Sequence, residues 1–264
     1  MTDIKPEEKD KDLWISHSSM ESMEQCLLKW YLRYIEKNKP VVDSFDALLG
    51  DITHKTIQAY EGVNSKSLND TFKKALAEAK PKSEFLDQYK PRLAKALRNF
   101  AKFWNDRLKD VGLTKTEKER KFFLPAPVEG FKIIGIMDIY FKRNGIITLL
   151  DWKTSKKVSD HTEQLAFYFL ILKLTKEIPE DVNTFDAEIV YLSLVDGKDD
   201  YVTVKYHLDE KDLDAACYRL ESYIRRIQQK GVLKENYPKK PGPLCPWCDY
   251  FKAGICNGKE DLQS

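Results

Sequence analysis

Residues 131–153, FKIIGIMDIYFKRNGIITLLDWK, constrain this chain more than any other stretch. Two runs of apolar and β-branched residues flank Asn144-Gly145, the strongest short-range signal for a β-hairpin. A two-residue type I′ loop there makes Arg143 face Ile146, and every facing pair of positions then adds to 289. Asp138 and Asp151 are such a pair. The spacing therefore predicts two carboxylates directly opposite each other, with Cβ atoms about 4.5–5.5 Å apart. Lys153 lies two residues beyond Asp151 and projects from the same face. Both strands are otherwise apolar: Ile133, Ile134, Ile136, Met137, Ile139, Ile147, Leu149 and Leu150. Opposed carboxylates in that setting repel each other and lose hydration, and a divalent cation between them removes both problems. The stretch reads as a hard-metal site with a lysine beside it; the bland alternative is a solvated pair of aspartates with a chance lysine.

A chain of 264 residues that is 42% hydrophobic and 12% aromatic can bury a sizeable core. Its net charge of +2, from 44 basic and 42 acidic residues, leaves nucleic-acid binding to local segregation of charge. No uncharged run approaches the roughly 18–20 residues of a membrane span, and MTDIKPEEKDKD lacks the apolar segment of a secretory signal. A cytoplasmic, reducing location with no membrane partner is the default. Disulfides are then disfavoured, and the five cysteines need another explanation.

Residues 1–13 read as a flexible, charged leader, and 14–264 as a single domain. Ser16 to about Lys37 reads as one capped amphipathic helix with Met20, Met23, Leu27, Trp30, Tyr31 and Tyr34 on its apolar stripe. Phe45 to about Tyr60 is a second helix. Helical periodicity over 68–80 and 84–110 marks an insertion spanning about 64–112. Lys118–Phe123 reads as a strand ahead of the hairpin, residues 161–176 as a helix, Ala187–Val195 and Tyr201–His207 as strands around Asp196-Gly197, and Leu208–Lys230 as a long helix. Residues 237–264 are rich in Pro, Gly and Cys. This order predicts an α/β fold: a mixed central sheet flanked by helices.

Phosphodiester hydrolysis needs a cation that stabilises developing charge and activates water, and Mg²⁺ or Mn²⁺ prefers oxygen ligands. Asp138, Asp151 and the Trp152 carbonyl are candidate oxygens, with Lys153 as the residue that holds the attacking water or the phosphate. His54 adds a candidate nitrogen if its helix packs on the hairpin; otherwise it is an ordinary helix histidine. Gln164 and Tyr168, at i and i+4, share a helix face that starts soon after Lys153. They are candidates for binding phosphate or water, against simple packing of Tyr168 between Phe167 and Phe169. Cys245-x₂-Cys248-x₇-Cys256 supplies three thiolates within 12 residues, and one more ligand closes a tetrahedral set for zinc or an iron–sulfur cluster. Cys26, 219 residues before Cys245, suits a [4Fe–4S] arrangement, whereas Cys217 reads as a small buried residue. The basic and aromatic residues of the insertion (Lys90, Arg92, Lys95, Arg98, Lys102, Arg107; Phe100, Phe103, Trp104) suit either DNA contact or a plain amphipathic cap.

The ordered motifs Gly50-x₃-His54, Gly135-x₂-Asp138, Asp151-x-Lys153 and Gln164-x₃-Tyr168 resemble the RecB-type branch of the PD-(D/E)XK nuclease superfamily. SHSSMESMEQCLLKWYLRY and CPWCDYFKAGIC are similar to the N-terminal helix and C-terminal cluster segment of its four-cysteine members, which include AddB-type and CRISPR-associated RecB-like nucleases. The likeness spans about residues 14–256; only the seven-residue gap between Cys248 and Cys256 is longer than the usual spacing. The resemblance implies a restriction-endonuclease-like core with a C-terminal Fe–S segment. It implies His54, Asp138, Asp151 and the Trp152 carbonyl as ligands of Mg²⁺ or Mn²⁺, Lys153 as the catalytic lysine, and Gln164 and Tyr168 as positioning residues. It implies Cys26, Cys245, Cys248 and Cys256 as ligands of a structural [4Fe–4S] cluster. Glu119 corresponds to a further acidic residue in some relatives. The activity implied is a DNA exonuclease of recombination, repair or phage DNA processing, acting on single strands or duplex ends. No GxxxxGK[ST] is present, so unwinding falls to a helicase or recombinase partner. The competing readings are a non-catalytic DNA-binding or assembly subunit and a zinc-stabilised interaction module.

Overall fold

The computed structural model describes residues 12–40, 44–62, 64–143, 146–194 and 200–258, the side chain of Ser65 excepted. Along the chain, β1 (Leu13–Ile15) leads into α1 (His17–Gln25) and α2 (Leu27–Tyr34). Next come α3 (Phe45–Ala59), α4 (Ser65–Ala79) and α5 (Ser83–Phe103). Then follow β2 (Lys118–Pro125), β3 (Phe131–Arg143), β4 (Ile146–Lys153), α6 (Thr162–Leu174), β5 (Phe185–Tyr191), β6 (Val202–Leu208), α7 (Glu210–Lys230) and the four-residue α8 (Asp249–Lys252). The expected leader, the Asn144-Gly145 loop and the Asp196-Gly197 turn lie outside the described residues, apart from Asp12 and Leu13 of the leader.

Contacts divide the chain into two units, with boundaries inside β2, β3 and α7: Met1–Val42, Phe122–Gly135 and Asp214–Ser264 form one, Asp43–Lys121 and Ile136–Leu213 the other.

In the first unit β1 runs parallel to the start of β3, with Leu13 opposite Phe131 and Ile15 opposite Ile133. Ser16 caps α1 through a capping box with Ser19, as its place before the apolar stripe predicts. The single helix expected over 16–37 is instead two. Cys26 is extended (φ −162°, ψ 121°), ending α1 and starting α2. The apolar stripe continues across the break, and tertiary anchoring accounts for it. Trp30 stacks on Tyr237 at 5.2 Å and donates from its indole to the Tyr223 hydroxyl at 2.6 Å, while Tyr31 packs on Tyr237 at 5.0 Å. A side-chain pattern cannot see such constraints on the direction of α2.

In the second unit the sheet is mixed, as expected. β3 and β4 are antiparallel from Arg143 opposite Ile146 to Ile139 opposite Leu150, the predicted register. β4 is parallel to β5, from Leu149 opposite Ala187 to Lys153 opposite Tyr191, and β5 is antiparallel to β6. The β4–α6–β5 segment is the crossover that a parallel pair requires. Residues 165–172 of α6 are buried without a break, so this helix is apolar all round rather than striped. One core joins Phe100, Phe103 and Trp104 to Ile139, Leu150, Trp152 and Val190. Most basic residues of α5 and the turn after it are engaged within this unit. Arg92 pairs with Asp46 and donates to the Thr154 carbonyl, Lys95 donates to the Leu194 carbonyl, Lys102 pairs with Asp200, and Arg107 makes a fork to Glu188. These four side chains thus have partners within the unit itself. No helix among the described residues is long and apolar enough to cross a membrane.

Candidate active site

The antiparallel ladder of β3 and β4 stops at Ile139 and Leu150, one pair short of the two aspartates. There the Asp138 carboxylate takes over, its Oδ2 accepting the Trp152 N–H at 2.7 Å. Its other oxygen, Oδ1, lies 3.2 Å from Nδ1 of His54 on α3, so this helix does pack on the hairpin. Glu119 of β2 completes the group: one donor atom from each of His54, Glu119 and Asp138 falls within 4.8 Å of the others. Glu119 has a left-handed backbone (φ +50°), the single residue of β2 to do so. That conformation is uncommon for a residue with a long side chain and concentrates at functional sites. It breaks the alternation of the strand, so the direction of the Glu119 side chain does not follow from a period of two.

Asp151 is held by different partners. Its Oδ2 lies 2.6 Å from the Lys153 ammonium, and its Oδ1 accepts from the Gln164 amide at 2.8 Å. Lys153 donates to Gln164 Oε1 at 3.0 Å. The Gln164 amide also reaches the Tyr168 hydroxyl at 3.1 Å, and that hydroxyl donates to the Ile136 carbonyl at 2.7 Å. The i, i+4 pair on α6 therefore shares a face, as predicted. Its polar atoms are wired to Asp151, Lys153 and the backbone of β3, a positioning arrangement, and Gln164 has both donors and its acceptor in use. The Trp152 ring is buried between Phe100 and Phe103, edge-on at 5.5 and 5.2 Å, so only its backbone is available to the site. His161, which no motif singles out, occupies the N-cap position of α6 near Lys153 without a side-chain capping bond. Burial and that ammonium push its imidazole down to about 4, so it is neutral at physiological pH.

The titration pattern is that of crowded carboxylates sharing few cations. Burial raises the Asp151 carboxyl, and repulsion from Asp138 adds to this despite Lys153. Burial and Asp138 likewise raise Glu119. Burial works against the charge on Asp138, but His54, the Trp152 N–H and Lys153 hold it below the usual carboxylate range. Burial by itself would lower His54; Asp138, with Asp151 and Glu119, instead lifts it from 6.5 to about 9. Metal-free His54 thus serves as the cation of the group. With that proton gone, an imidazole nitrogen and carboxylate oxygens remain, a donor set that fits Mg²⁺ or Mn²⁺. A groove of about 650 Å³ opens beside His54, walled by Asp46 and residues Trp152 to Lys157.

The first unit holds a second constellation. Cys26, Cys245, Cys248 and Cys256 line one pocket of about 310 Å³ and form no disulfide. Backbone N–H groups point at two of the sulfurs: Lys240 to Cys26 Sγ at 3.4 Å and Gly242 to Cys245 Sγ at 3.3 Å. Lys29, Lys239 and Lys240 are the charged residues of its wall. Among the described residues no three of these sulfurs lie within 4.8 Å of one another, so the four thiols share a pocket and not a preformed tight ligand cage. Cys217 does not line this pocket; it lies on α7, where burial pushes its thiol up.

The model of the PD-(D/E)XK nuclease superfamily matches residues 14–257. Among solved structures, the chain is similar to a "putative exonuclease" from Eubacterium rectale. That match has 15% identity and a TM-score of 0.53, and covers 95% of this chain and 94% of that one. The protein SSO0001 matches at 17% identity with a TM-score of 0.36, over 89% of this chain and 95% of that one, and carries no weight here. No curated protein matches. At these identities the structural likeness speaks for the fold alone.

Proposed function

The chain belongs to the PD-(D/E)XK nuclease superfamily, and from that premise we propose that it is a RecB-type, Mg²⁺- or Mn²⁺-dependent DNA exonuclease with a structural [4Fe–4S] cluster. The observation that carries this reading is the convergence of His54, Glu119 and Asp138 beside a salt-bridged Asp151 and Lys153, at one end of a mixed sheet. His54, Asp138 and Asp151, with the Trp152 carbonyl, would hold the catalytic ion, and Glu119 joins them on geometry. When bound, the ion supplies Lewis acidity toward a phosphoryl oxygen and lowers the pKa of a coordinated water.

The chain's own residues supply the rest. Lys153, clipped between Asp151 and Gln164, presents one ammonium to a phosphate oxygen or to the attacking water. Gln164 and Tyr168 keep that ammonium and the Asp151 carboxylate in register with the end of β3. Lys156 and Lys157 line the groove where a nucleic-acid backbone would lie, and the phosphate charge favours them electrostatically. Cys26, Cys245, Cys248 and Cys256 would hold the cluster. DNA ends, single-stranded or duplex, are the proposed substrate, in recombination, repair or phage DNA processing, and a helicase or recombinase is the proposed partner.

The test is cleavage of single- and double-stranded DNA labelled at either end, with Mg²⁺, Mn²⁺ or chelator. Progressive loss from an end, abolished by Asp151→Asn and Lys153→Ala, supports the reading; metal-independent cleavage, or none, rejects it. Iron and sulfide analysis with an absorption band near about 400 nm supports the cluster, and stoichiometric zinc in its place rejects it.

A further inference from the structure

We infer that Lys118 is a positioning residue for the metal site, clamping the end of the helix that carries His54 to the strand that presents Glu119. The inference rests on the nuclease reading above and adds to it a residue that touches neither metal nor substrate.

Lys118 is 3% exposed, an unusual place for a lysine. Its ammonium donates to the carbonyl of Tyr60, the residue that caps the C-terminus of α3. It also lies 5.7 Å from the centre of the Trp104 ring, so a cation–π contact supports the hydrogen bond. A cation at this position complements the negative end of the helix dipole. The surrounding packing leaves little slack. The Tyr60 ring meets Trp104 edge-on at 5.2 Å, and Trp104 opens the π-helical turn Trp104–Leu108 that follows α5. Gly62 sits against the same indole, where an added Cβ would come within 2.4 Å of the ring, so the backbone just past Tyr60 is packed closely on Trp104.

The two elements joined are the ones whose relative placement matters. His54 lies on α3, six residues before Tyr60, and Glu119 directly follows Lys118. Glu119 reaches the group only through its left-handed backbone, an unfavourable conformation that needs fixing on at least one side. The buried ammonium supplies that fixing: with Lys118 turned inward to the Tyr60 carbonyl, the next residue is directed toward His54 and Asp138. Outer partners of this kind commonly tune metal affinity as strongly as some ligands do.

The experiment measures Mn²⁺ binding to the full-length protein by calorimetry and electron paramagnetic resonance, alongside DNA cleavage as a function of Mn²⁺. Lys118→Met should weaken Mn²⁺ binding about 10-fold or more and lower kcat at saturating metal much less. Glu119→Gln should weaken it comparably. The double variant should be no worse than Glu119→Gln, because both changes remove one contribution. Unchanged affinity in folded Lys118→Met, or effects that multiply in the double variant, would overturn the inference. If Lys118→Met does not fold, Lys118→Arg takes its place: the larger planar fork should displace β2 and weaken Mn²⁺ binding, and wild-type affinity would overturn the inference equally. Wild-type protein that cleaves DNA while Lys118→Met binds Mn²⁺ normally removes this inference and keeps the nuclease reading. Lys118-dependent Mn²⁺ binding without any cleavage does the reverse.

Discussion

The carboxylate site and the cysteine pocket differ in what holds each together. Around Asp138 and Asp151 the polar side chains neutralise one another: His54 faces Asp138, Lys153 faces Asp151, and Gln164 bridges Asp151 to Lys153. That network closes without a metal. Around the four cysteines the polar support is thin, with two N–H donors to sulfur and lysines in an otherwise mostly apolar wall. One site is assembled by its own charges and lends itself to an exchangeable ion. The other has thiols from segments far apart in sequence, which Trp30 and Tyr31 packed on Tyr237 and the Tyr250 hydroxyl donating to the Asn38 carbonyl already hold near each other. Losing the proposed ion should therefore stop chemistry at the first site, and losing the proposed cluster should loosen the structure around the second.

The largest effect that sharpens this contrast is expected at the pocket. Cys248→Ser should abolish the absorption band of the proposed cluster and cost on the order of several kcal/mol, a Tm fall of about 10 °C or more in a thermal melt. A cysteine variant that melts like wild type would erase the distinction. Next, Asp151→Asn should reduce cleavage by about 10²–10⁴-fold with a Tm change smaller than that of Cys248→Ser. Two effects oppose each other there: burial and Asp138 make the charge on Asp151 costly, while its loss leaves the Lys153 ammonium without its partner. A Tm loss as large as that of the cysteine variant would erase the contrast.

A smaller effect depends on pH. His54 has a folded pKa of about 9 against an ordinary 6.5. In metal-free protein its stabilisation is fully present below about 6.5 and is lost as pH rises through about 9. Metal must displace that proton, so Mn²⁺ affinity should climb with pH over the same window, by up to about 10-fold per unit. A flat affinity profile would exclude His54 as a ligand. The smallest effect is expected for Gln164→Leu, which removes the bridge but neither charge: roughly 10-fold in kcat at unchanged metal affinity, measured by metal titration of cleavage.

Much of the charged site was legible from spacing. Strand pairing has a period of two residues, so one turn dipeptide fixes every facing pair, and the register from Arg143–Ile146 to Ile139–Leu150 followed from it. The pairing of Gln164 with Tyr168 followed from helical periodicity for the same reason. What escaped the sequence depends on tertiary anchoring or on backbone dihedrals. Cys26 interrupts an unbroken helical pattern because Trp30 and Tyr31 are pinned by distant tyrosines. Glu119 enters the site through a positive φ that no alternation pattern predicts. The basic residues of α5 were ambiguous because their acceptors, Glu188, Asp200 and the Thr154 and Leu194 carbonyls, lie at least 62 positions away.

The order of the cysteines along the chain has a consequence for how the protein is made. Synthesis runs from the N-terminus, and domains tend to fold as they emerge. Cys26 appears early, yet its three companions come after Asp214, when the whole of the second unit has been translated. Every residue of the carboxylate site is thus available to fold before the pocket can close. The proposed cluster would tie residue 26 to residues 245–256 and place the residues between them in one closed loop. For the proposed cluster, insertion would be the last step of assembly, made on a protein whose N-terminal helices and C-terminal segment are already packed through Trp30, Tyr31 and Tyr237.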